Sequence, residues 1–167
     1  MKTFLAALAA GVLLTHMASA IPQTFNGFLG AVGMPFEQYI GTVAVWSPGA
    51  ELKGPWKSRG EKKGDVETLD LGVEAMVLGI AGAQVSAERA GGVVRRFTVR
   101  FDEGKLKGGK PNPGGLFAQV TANLTALAGE AKSVSSGGEK MFRYESASIT
   151  ARKSGAREVI VEFTRAQ

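Results

Sequence analysis

Apolar and polar side chains alternate most regularly near the middle of the chain. Ala83, Val85 and Ala87 are interleaved with Gln84, Ser86 and Glu88, the two-residue period that sends successive side chains to opposite faces of a strand. Ala90, Gly91 and Gly92 then turn the chain into residues 93–101, and the pair reads as a hairpin. In its second strand Val93, Phe97, Val99 and Phe101 fall on one face, and Arg96, Thr98 and Arg100 on the other. One dry face and one wet face predict an antiparallel sheet packed on a single side. A second hairpin is expected from residues 140–152 and 157–165, turning around Gly155. Its last strand sets Val159, Val161 and Phe163 against Glu158, Glu162 and Thr164, with Ile160 breaking the rule.

Between these hairpins the period changes. Leu116, Val120, Leu124 and Leu127 recur at helical spacing with Phe117 on the same side, and Gly129 is placed to end the helix. Residues 66–80 fit both periods, because Val66, Leu69, Val73, Met76, Val77 and Ile80 suit a helix while Leu69, Leu71, Val73, Ala75 and Val77 suit a strand. Gly72 and Gly79 weaken either reading, and a strand is preferred. Thr42 to Trp46 reads as a further strand, ended by Ser47, Pro48 and Gly49. Residues 21–40 mix Phe25, Phe28, Leu29, Phe36 and Tyr39 with breaking glycines, and are expected to form an apolar arm with one short helix lying across the core. Residues 47–65 and 103–115 read as long exposed loops, and 133–138 as a polar linker. The fold class expected is α+β, a single domain in residues 21–167. An antiparallel sheet, strongly curved or even barrel-like, packs with one main helix.

The first twenty residues stand apart from this pattern. Lys2 gives a positive start, Phe4 to Leu14 is an unbroken apolar run, and Ala18, Ser19 and Ala20 form a small-x-small triplet. This is the layout of a secretory signal peptide cut after Ala20. The run falls short of the roughly 20 residues that a membrane span needs, and no later segment comes closer. The expected destination is therefore outside the cytoplasm, in the extracellular space or a periplasm.

Composition then narrows the chemistry. The 167 residues carry 20 Lys plus Arg, 15 Asp plus Glu, one His and no Cys. Setting residues 1–20 aside removes Lys2, Gly11 and His16, so the remaining 147 residues hold 19 basic and 15 acidic side chains and neither His nor Cys. Disulfides, thiolate nucleophiles, histidine bases and His/Cys zinc sites are all closed to such a chain. Hydrophobic packing must hold it together.

Few motifs remain. Gly104 to Lys110 matches the first seven positions of a phosphate-binding loop, but Pro111 stands where a Ser or Thr must hold magnesium. No nucleotide or other cofactor is expected. Lys53, Trp56, Lys57, Arg59, Lys62 and Lys63 in one loop, with Lys105, Lys107 and Lys110 in the other, form a candidate contact for an anionic surface, with Trp56 free to stack. An alternative places Phe97, Phe101, Phe117, Leu124 and Phe163 around an apolar ligand cavity between sheet and helix. Carboxylate-based hydrolysis is a third possibility, although no Asp or Glu stands in a recognisable motif. Asn123 opens a glycosylation sequon, meaningful in a eukaryotic source. Together these features predict a secreted, non-catalytic binding protein, of the effector or virulence kind that a microbe exports towards a host or neighbouring cell. Its partner is expected to be a protein or an anionic surface.

Overall fold

The computed structural model describes residues 28–29, 32–38, 55–60, 62–107, 113–129 and 131–165. The signal-like segment, the strand expected at 42–46, Lys53 and Lys110 lie outside them. In chain order the elements are β1 (Trp56–Ser58), β2 (Val66–Leu71), β3 (Ala75–Val77), β4 (Ile80–Ala90), β5 (Val93–Asp102), α1 (Gly115–Leu127), β6 (Lys132–Ser136), β7 (Glu139–Arg143), β8 (Ala147–Lys153) and β9 (Glu158–Arg165). The strands form one antiparallel sheet in the order β1-β2-β4-β5-β9-β8-β7-β6, with β3 folded back on the start of β4. The sheet is not closed into a barrel. Two meanders are thus joined at their last strands, Phe97 of β5 standing opposite Phe163 of β9.

The ambiguous stretch at 66–80 is strand. A tight turn at Leu78 and Gly79 joins β3 to β4, and both residues have positive φ, 56° and 73°. Such a turn matches the twist of its flanking strands but is costly for a branched side chain like Leu. Burial of Leu78, 3% exposed, offsets that cost.

Four expectations are corrected. The polar linker at 133–138 contains β6, paired along its whole length with β7 through Gly137 and Gly138. All five of its residues are exposed, so the burial that produces alternation is missing. The long strand expected at 140–152 breaks at Tyr144 into β7 and β8, and the loop expected at 47–65 contains β1. In β5 the buried residue is Val94, not Val93. Arg95 is an extra residue, since Arg96 faces Glu88 while Val94 faces Arg89. A bulge of this kind reverses the inside–outside parity of everything before it.

The dry face is sealed by two elements. α1 lays Leu116, Val120 and Leu124 into the core and packs on β8 and β9. It ends at Ala128, followed by Gly129 with φ 59°, the left-handed position that terminates helices. Tyr144 donates its hydroxyl proton to the Ala128 carbonyl at 3.1 Å, satisfying one of the acceptors that a helix end leaves open. The arm covers the rest. Phe28 stacks on Phe163 at 4.5 Å and meets Phe97 edge-on at 5.1 Å. Val94 donates to the Met34 carbonyl, and its own carbonyl accepts from Gly33. The arm thus extends the pairing of β5 past the end of β9.

Candidate functional site

The two basic loops do not form one patch. The Lys63 end abuts Val66, which pairs with Ala90 at one end of β4, whereas Lys107 bridges to Ala81 at the other end. Nine residues of strand separate them by about 30 Å. A tight turn holds the second loop: Gly104 donates to the Asp102 carboxylate at 2.8 Å. The backbone carbonyl of Lys105 also packs against Gly82, whose φ is 91° and where no Cβ would fit. Three of the six described bases also have partners. Arg59 binds Asp70 at 2.6 Å, Lys62 reaches Glu67 at 3.5 Å, and Lys107 meets Glu74 at 2.7 Å. That hydrogen bond, followed by the Lys107 charge, holds the Glu74 carboxyl below its ordinary value. Lys57, Lys63 and Lys105 stay exposed. Trp56 is not a free stacking platform, because its ring is partly buried against the core and meets Phe36 edge-on at 5.5 Å.

The five residues of the alternative cavity are core. Phe97, Phe101, Leu124 and Phe163 are fully buried, and Phe117 packs against the same cluster. Phe28 of the arm occupies the space above Phe97 and Phe163. Asn123 is half-buried on α1, and its amide donates to the carbonyl of the strained Leu78 at 2.8 Å. A glycan on that nitrogen would displace the bond that steadies the turn.

Among the described residues, the surface left open is the other face of the sheet. Strand register lines up Asp70, Ser86, Thr98, Glu162, Thr150 and Met141 across β2, β4, β5, β9, β8 and β7. Flanking rows bring Arg96 beside Glu88, and Arg100 beside Ile160 and Arg152. Arg96 donates to Glu88 at 2.7 Å and approaches Glu162 at 3.5 Å, while Arg152 approaches the same Glu162 oxygen at 3.7 Å. Arg100 pairs with Glu158 at 3.2 Å. Ser148 and Thr164 share a hydrogen bond at 2.8 Å. Three arginines and three glutamates thus form a charge-balanced lattice, each side chain 22–42% exposed. A polar recess of about 190 Å³ beside it is lined by Arg59, Asp70, Gln84, Ser86 and Arg100.

Arg96 and Arg100 stand out in the sequence as wet-face residues. Glu88, Glu158 and Glu162 read as polar positions of their own strands, but their pairing with Arg96, Arg100 and Arg152 is hidden until the register of β4, β5, β9 and β8 is known. A second missed cluster lies at the rim of the dry face. Arg89 binds Glu67 at 2.9 Å and Glu37 of the arm at 2.7 Å, with its guanidinium 5.2 Å from the Phe36 ring centre. The hydrogen bond from Arg89, then one from Ser58, holds the Glu67 carboxyl below its ordinary value. This cluster fastens the arm to the sheet.

Among the described residues no group of three or more His, Asp or Glu is placed to hold a metal ion, and no helix is long and apolar enough to cross a membrane. Compared with known proteins, the chain matches no family model, no curated protein and no solved structure.

Proposed function

We propose that this chain is an exported, non-catalytic binding protein that contacts another protein through the open face of its sheet. One observation carries the reading: the arm and α1 cover one face, while no described element covers the Arg96–Glu162–Arg152 lattice on the other. Balanced charges of both signs suit a protein surface of mixed charge better than a polyanion, since each arginine already has a carboxylate beside it. Export rests on the signal-like residues 1–20, and contact with a host or neighbouring cell is the setting that such export suggests.

The test uses Thr98→Arg and Thr150→Arg, which place bulk at the centre of the open face. A partner captured by the immobilised wild-type chain from target-cell extract should be lost from both variants while their circular dichroism stays native. Heparin and anionic vesicles should not bind at ~0.15 M salt. Equal capture by variants and wild type, or firm binding of heparin, overturns the assignment. Amino-terminal sequencing of the exported chain should begin at Ile21.

A further inference from the structure

β6 ends the sheet in a strand whose outer edge is paired with nothing among the described residues. A two-residue turn, Gly137 and Gly138, joins it to β7 and makes Ser136 opposite Glu139 the hydrogen-bonded pair next to the turn. Strand parity then directs the backbone groups of Lys132, Val134 and Ser136 inward to β7, and those of Ser133 and Ser135 outward. The edge also displays Val134, 57% exposed and the most exposed of the large apolar side chains described.

We propose that this edge pairs with the same edge of a second copy, antiparallel and centred on Val134. That register sets Ser133 opposite Ser135 of the second copy and the reverse, so two donors and two acceptors on each copy are satisfied together by four backbone hydrogen bonds. A shift by two residues leaves half of them unpaired. Val134 meets its own counterpart, with Met141 beside it on the same face. Charge fits as well. Lys132 stands opposite Ser136 of the second copy and, one strand further in, faces its Glu139. Both residues are exposed, and neither makes an ion pair among the described residues. The two-fold axis repeats this contact, and the two open sheet faces become one continuous surface. A five-residue edge buries too little area for a permanent dimer, so association is weak and concentration-dependent.

The chain has no cysteine, which makes a single introduced thiol an unambiguous reporter. Val134 and its counterpart form a non-hydrogen-bonded pair with a Cα separation of about 4.5 Å, within the range a disulfide spans. Val134→Cys, in the chain purified after export, should oxidise to a covalent dimer well ahead of the control Val73→Cys, whose site is also exposed. Adding Ser135→Pro to Val134→Cys removes only an outward N–H, which edge strands tolerate. It should abolish the cross-link while circular dichroism stays native. In sedimentation, Lys132→Glu should weaken dimerisation by roughly tenfold, and the pair Lys132→Glu with Glu139→Lys should restore it. Cross-linking no faster than the control, indifference to Ser135→Pro, or a wild-type monomer at every concentration overturns the proposal. The last result would leave the edge to a different extended peptide.

Discussion

Glu67 is the one acidic side chain among the described residues that is buried, at 8% exposure, and its partners decide its behaviour. Arg89 stabilises the ionised form, chiefly by hydrogen bond, and Ser58 adds to it, so the folded chain binds the proton less tightly than the unfolded chain does. Its stabilising contribution is full above the ordinary value of 4.5 and is lost as pH falls through the lower folded value. Denaturant titrations at a series of acidic pH values should show this loss, and Glu67→Gln should flatten that limb of the curve. Tyr144 carries the opposite dependence. Burial pushes its hydroxyl from 10.0 up to about 12, so stability is held below pH 10 and declines as pH rises through the interval above it. Tyr144→Phe should remove that alkaline dependence and cost about 1 kcal/mol at neutral pH, through the lost bond to Ala128.

At the scale of elements, legibility followed burial. β4 and β5 each bury one face and leave the other at least partly exposed, β9 does the same apart from the buried Ile160, and their alternation is readable from residues such as Val85, Phe97 and Val161. α1 was readable because Leu116, Val120 and Leu124 all face the core. β6 was hidden, since Lys132 to Ser136 is exposed on both sides and its identity comes only from pairing with β7. The face of Val93 is not legible in the sequence because no residue type announces the extra Arg95. The candidate site suffered in the same way: charge in the loops was plain, but its neutralisation by Asp70, Glu67 and Glu74 depends on contacts between strands and loops. The arm is the element with the sharpest test. Phe28→Ala removes the ring that covers Phe97 and Phe163 and should cost about 3–5 kcal/mol. The variant should also bind a hydrophobic dye more strongly than wild type.

For the whole molecule, stability comes from one continuous core that joins both meanders, α1 and the arm. The ion pairs ring that core without supporting it. Salt raised from roughly 0.05 to 0.5 M should therefore change unfolding free energy by less than about 1 kcal/mol, as denaturant curves at the two ionic strengths can check. A larger fall would mean that the lattice on the open face holds the strands in register.

The central position of β9 governs the order of events during synthesis. Residues Glu158–Arg165 leave the ribosome after the eight other described strands, yet they pair with β5 on one side and β8 on the other. Until they arrive, each half of the sheet has an unsatisfied inner edge and the core lacks Val161 and Phe163. Closing so long a loop comes late in folding. The sheet therefore cannot close before β9 is made, and β1 to β8 wait as two open-edged halves that only this strand can join.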